Sequence, residues 1–176
     1  IVLNGYHLEG NLLEVVAENR RSSAVVAVAS TGIPALSGAH EDGDEERPPE
    51  GLPAPAVDEG DPHMWLDPEL AARYVENIAA ALASADAAHA DAYRERARAQ
   101  AERLRALQRE LVTTLAPIPP ERRRIVVFHD AFAYFARSFG FEVAAGVLPG
   151  DGGREPSARD VAELGLELLG AGEVDG

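Results

Sequence analysis

The chain contains no cysteine. No disulfide framework can staple it, and no thiolate can hold a metal, so a metal site would have to use imidazole, carboxylate and water. Basic residues are scarce, with 16 Lys and Arg against 30 Asp and Glu and a net charge of −14. A phosphate backbone needs a basic surface, so nucleic acid is excluded as a partner. Long apolar runs are missing as well. The longest clean one, residues 24–29, falls far below the roughly 20 residues that span a bilayer. No signal peptide is present, yet the chain begins Ile1-Val2-Leu3, already strand-like, and ends as if entering another strand. Both ends are expected to be cut, and the missing signal then says nothing about compartment.

What remains is a globular composition. Hydrophobic residues make up 46% of 176 positions, enough for one ordinary domain or for two small lobes sharing a linker. The acidic balance suits a cation-handling protein, and it equally suits a merely soluble one.

The stretch Asp61-Pro62-His63-Met64-Trp65-Leu66-Asp67-Pro68 holds a histidine and the only tryptophan between two Asp-Pro steps. Each proline fixes its own φ and turns the preceding residue away from helix, so a stiff irregular loop is expected. Leu70, Tyr74, Ile78 and Leu82 follow at the spacing of one helix face. Asp67 suits the N-cap of that helix and Pro68 its first position. His63 is thus held just ahead of a helix start, as a preorganised ligand or as a structural histidine bonded to backbone.

Taken in order, residues 1–3 predict a strand that runs into an Asn4-Gly5 turn. Leu8, Leu12, Val15 and Val16 predict a helix with His7 at its start, where a solvated histidine is the plain expectation. Residues 24–29 predict a strand buried on both faces. Strand, helix, strand gives a βαβ unit and an α/β lobe over residues 1–86. Between 41 and 61 the chain carries nine acidic residues, one arginine and prolines 48, 49, 53 and 55. Such a segment predicts an exposed loop that builds no core. His40 stands at its entrance as a candidate for weak metal capture. After a break near Asp86 and an exposed His89, residues 87–116 predict one long unbroken helix, closed by Pro117, Pro119 and Pro120.

A second α/β unit is expected over residues 117–176. Residues 125–128 predict a buried strand, with His129-Asp130 directly after it. In open parallel sheets ligands bind beyond the carboxyl ends of strands, which makes that position a privileged one. Phe132, Phe135, Ala136 and Phe139 predict an aromatic helix face closed by Gly140, and residues 141–147 a further strand. A glycine-rich loop at 149–154 lacks phosphate-binding spacing. Ser157 caps a last helix with Leu164, Leu168 and Leu169 on one face. Asp61 and Asp130 are candidate acceptors that would fix the tautomer of a neighbouring imidazole.

Together these motifs resemble the solute-binding proteins of zinc and manganese ABC importers, the metal-receptor family that includes adhesin-type lipoproteins. The resemblance is carried by Asn4-Gly5-Tyr6-His7-Leu8-Glu9, by Asp61 to Pro68, by the long helix, by Phe128-His129-Asp130-Ala131-Phe132-Ala133-Tyr134-Phe135, and by Glu155-Pro156-Ser157. It implies two α/β lobes joined by one long helix, the cluster A-I architecture, both lobes incomplete here, with a metal in the cleft. It carries His63 and His129 over as metal ligands. An earlier histidine and a late acidic residue complete the family's set, and neither has a counterpart in this chain. The acidic loop lies where zinc-type members carry a histidine-rich insertion, but here holds only His40. Histidine at position 129, often glutamate in manganese-type members, leans towards Zn2+, with Mn2+ the alternative. The implied protein is a monomeric extracytoplasmic receptor, periplasmic or a cell-surface lipoprotein, that serves an ABC permease and is not an enzyme. The competing readings are a metal-dependent hydrolase built on His129-Asp130 with His63 and Asp67, and a surface adhesin or interaction module.

Overall fold

The computed structural model describes residues 1–37, 51–54, 56, 58–127 and 129–146. His40, the acidic stretch through residue 50, the glycine-rich loop and the helix expected after Ser157 lie outside the described residues. The chain divides into two compact units, Ile1–Pro117 and Ile118–Gly176.

Unit 1 opens with strand β1 (Val2–Leu3), helix α1 (Leu12–Asn19) and strand β2 (Ala27–Val28). The strands pair in parallel, Val2 opposite Ala27 and Leu3 opposite Val28, so the βαβ unit is present. Its core is Leu3, Leu13, Val28 and Ala56, with Val16, Val26 and Leu52 packed around it. Two of those residues correct the sequence reading. Ala56 and Leu52 belong to the proline-rich half of the acidic segment, yet Ala56 is fully buried. Local composition hid them because isolated apolar residues among prolines and charges show no periodicity.

The strand expected over residues 24–29 is only two residues long, and Val25 is exposed. The helix expected from Leu8 begins only at Leu12, and its buried side is Leu13 and not the Leu8, Leu12 and Val15 series, all three of which are exposed. The reason is backbone. Gly5, Tyr6 and His7 have φ values of 102°, 54° and 56°, a left-handed turn in which no right-handed helix can start.

Helix α2 (Pro68–Ala85) and helix α3 (Ala90–Leu115) pack along one another. Their most buried positions are small: Ala72, Ala79 and Ala83 on α2, Ala97 and Ala101 on α3. Alanine lets helix axes approach closely, which explains why Leu82, expected on the inner face of α2, is exposed. Arg105 of α3 reaches across to Glu69 at 3.1 Å and Glu76 at 2.7 Å. Asn77 of α2 donates to the carbonyls of Ala29 (2.8 Å) and Thr31 (2.9 Å), fastening the helix to the end of β2. The long helix runs 26 residues without a break.

Unit 2 repeats the βαβ pattern with strand β3 (Arg124–Val127), helix α4 (Ala133–Phe139) and strand β4 (Glu142–Gly146), the strands again parallel. Tyr134 and Phe139 are buried, and the Phe135 ring packs 4.8 Å from Phe139 and 5.7 Å from Phe141. Gly140 closes α4 at φ 70°, the left-handed cap that its position implies. β3 is less buried than its sequence suggests, for Val126 is exposed. Both units are thus mixed α/β.

Candidate metal centre

The Asp-Pro-His loop is built by its own residues. Asp67 caps α2, its Oδ1 accepting from the amides of Glu69 at 2.8 Å and Leu70 at 3.4 Å, with Pro68 in the first turn. Ahead of it, Met64–Leu66 form a single 3-10 turn, and Met64 is fully buried. A buried methionine directly after it and a capped helix beyond fix the backbone at His63.

Asp61 fixes the ring. Its Oδ1 accepts the His63 amide at 2.9 Å and lies 2.8 Å from His63 Nδ1. Both side chains are nearly enclosed, 12% exposed for His63 and 10% for Asp61. A carboxylate oxygen can only accept, so Nδ1 is the ring nitrogen that Asp61 holds. The Trp65 ring stands 5.3 Å from the imidazole, tilted by 56°. The expected pairing of Asp61 with His63 is therefore a direct contact. This is the arrangement by which an outer carboxylate orients a metal-binding histidine.

A second layer holds this loop from the start of the chain. Asn4 Nδ2 donates to the Pro62 carbonyl at 3.1 Å, immediately before His63. Asn4 is itself held: its amide donates to Glu9 Oε1, the Gly5 amide to Glu9 Oε2 at 3.4 Å, and Ser30 Oγ donates to the Asn4 carbonyl at 2.6 Å. The Asp61 amide donates to Leu36 O at 2.9 Å. Tyr6, buried, donates its hydroxyl to Ile33 O at 2.8 Å. Burial, and then the nearby Asp58 carboxylate, push its phenol above the ordinary range. Asn4 was missed as a site residue. The Asn-Gly pair signals a turn but not which distant carbonyl the side chain will meet.

In unit 2, His129 follows the carboxyl end of β3 and is half-buried, and its carbonyl accepts the Ala131 amide at 2.8 Å. Asp130 beside it is exposed. Among the described residues no three or more His, Asp or Glu side chains gather closely enough to hold a metal ion. His7, expected at a helix start, lies instead in the left-handed turn, exposed. His89 is exposed as expected and bonds Asp86 at 2.8 Å. No helix among the described residues is long and apolar enough to cross a membrane.

The family model described as zinc-uptake complex component A, periplasmic, matches residues 1–168. The chain belongs to that family. It is similar to the iron-binding protein YfeA of Yersinia pestis, 35% identical over 144 residues that cover 81% of this chain and 41% of the relative. It is similar also to the manganese-binding lipoprotein MntA of Bacillus subtilis, 32% identical over 173 residues that cover 96% of this chain and 50% of the relative. Among solved structures it resembles the periplasmic zinc-binding protein TroA of Treponema pallidum. That match has a TM-score of 0.73 at 31% identity and covers 96% of this chain and 55% of the other. The chain spans about half the length of the curated relatives it matches. For this zinc-uptake family member the fold is that of the cluster A-I metal receptors, as the motifs implied.

Proposed function

We propose that the protein is an extracytoplasmic receptor that captures Zn2+, with Mn2+ the alternative, and delivers it to the permease of an ABC importer. The observation that carries this reading is the Asp61–His63 pair: a nearly enclosed imidazole whose Nδ1 lies 2.8 Å from the carboxylate that orients the ring. His63 is the ligand from unit 1 and His129 the ligand from unit 2. Asp61 orients the first, and Asp130 is assigned the same part for the second. The working unit is one chain holding one ion, periplasmic or anchored as a lipoprotein. Membership of an uptake family favours carriage over hydrolysis or adhesion.

The choice of zinc rests on ligand chemistry. Two imidazoles suit zinc better than they suit manganese, which prefers a carboxylate-rich set. The similar proteins are named for iron, manganese and zinc, so the same scaffold serves several first-row transition metals. Delivery requires release, so the protein must hold the ion without burying it permanently.

The test is calorimetric titration of the intact protein with zinc. One ion per chain is expected, with His63→Ala and His129→Ala each weakening binding severely. Unchanged affinity in both variants would overturn the assignment.

A further inference from the structure

We propose that Asn4 is a positioning residue for metal binding, and that the left-handed turn it opens exists to aim its carboxamide at the backbone of the ligand loop. The inference rests on reading His63 as a ligand. Three observations carry it. Asn4 lies 58 positions from Pro62 in sequence, yet its Nδ2 donates to the Pro62 carbonyl at 3.1 Å. That carbonyl belongs to the peptide linking Pro62 to His63, so the bond fixes the plane from which the imidazole projects.

The turn behind Asn4 is also costly. Tyr6 and His7 are not glycine, yet both have left-handed φ values, 54° and 56°, each worth about 1–2 kcal/mol of strain. Strain of this kind persists only where surrounding contacts over-determine it. Here the Glu9 carboxylate takes both the Asn4 and Gly5 amides, and Tyr6 is locked by its hydroxyl on Ile33.

Third, two hydrogen bonds reach the ligand loop from other segments. Leu36 accepts the Asp61 amide, and Asn4 holds the Pro62 carbonyl. Asp61 then sets the His63 ring, while Asn4 sets the backbone that carries it. One determines the rotation of the imidazole, the other its origin. A turn needed only for chain reversal would call for neither the strained pair nor a side chain reaching another loop.

The experiment uses the intact protein. Asn4→Asp keeps the size of the side chain but sets an acceptor against the Pro62 carbonyl, and Asn4→Ser removes the reach to it. Zinc affinity by chelator competition, zinc release by stopped flow, and the visible spectrum of the cobalt(II) form are measured beside thermal stability. Arg105→Ala, which breaks the α2–α3 bridge to Glu69 and Glu76, controls for lost stability. His63→Ala tests the ligand reading itself.

Both Asn4 variants are expected to bind zinc about tenfold more weakly, within the range for loss of an outer partner, to release it faster, and to shift the cobalt spectrum. Arg105→Ala is expected to lose stability and leave these three unchanged. If His63→Ala abolishes binding while the Asn4 variants keep wild-type affinity, release and spectrum, the positioning role is overturned and the ligand reading stands. If Arg105→Ala weakens binding in step with its stability, as the Asn4 variants do, the effect is general loosening and the proposal fails. Should His63→Ala bind as the wild type does, both readings fall.

Discussion

One oxygen of Asp61 serves two groups of His63, accepting its amide at 2.9 Å and facing its Nδ1 at 2.8 Å. The backbone bond holds the carboxylate and the carboxylate holds the ring, so imidazole orientation is set before any cation arrives. Asp61→Ala is expected to weaken zinc binding by about 10- to 100-fold, read by competition with a chromophoric chelator. Asp61→Asn keeps an acceptor at Oδ1 and should lose less. Equal loss in both would shift the role from acceptor geometry to charge.

Gly60 precedes this pair at φ 146°, and a Cβ added there would lie 2.4 Å from Ala35 Cβ and 3.2 Å from the Tyr6 ring. The first distance is impossible without movement of the loop. Gly60→Ala is expected to destabilise unit 1 by about 1–3 kcal/mol, the usual cost of overpacking. It should also weaken zinc binding, because the movement passes to Asp61 and His63. Urea unfolding measures the first effect and chelator competition the second. A variant as stable as the wild type would show that Ala35 yields freely.

Asp67, 6% exposed, takes the amides of Glu69 and Leu70 at the start of α2. Asp67→Ala leaves those amides without their cap and is expected to cost about 1 kcal/mol. Asp67→Asn, nearly as good an N-cap, should recover most of it. Chemical denaturation of the pair checks both. If the asparagine variant is as unstable as the alanine one, the charge at the helix start matters more than the hydrogen bonds.

Legibility followed locality. The Asp67 cap, the turn at Gly140 and the 26-residue α3 were readable because each depends on neighbours in sequence. The Asp61–His63 bond was readable for the same reason, as an acceptor two residues from its partner. The start of α1 was misread because nothing local shows that Tyr6 and His7 will take left-handed φ; Glu9 and Ile33 impose it from outside the turn. The burial of Ala56 in an acidic, proline-rich segment, and the reach of Asn4 to Pro62, are long-range in the same sense. His63 was singled out by motif, whereas the contacts that surround it became visible only in the fold.

The joint between α2 and α3 depends on pH through Asp86. Its Oδ2 accepts the Tyr93 hydroxyl at 2.9 Å and faces His89 Nδ1 at 2.8 Å. The Tyr93 bond, and after it the His89 bond, hold the carboxyl below its usual range, and Asp86 in turn pushes the Tyr93 phenol up. A carboxyl more acidic in the folded than in the unfolded chain adds stability that is fully present above its unfolded pKa of about 3.9. That stability is lost as pH falls through the lower folded value. The thermal midpoint of wild type should therefore exceed that of Asp86→Asn near neutral pH by a small margin, as befits an exposed group. The margin should close as the pH is taken below about 3. Tyr93→Phe removes the larger of the two causes, so the Asp86 carboxyl, followed by NMR, should titrate closer to its ordinary value. A margin that stays constant across the acid range would assign the effect of Asp86→Asn to packing at the joint and not to its charge.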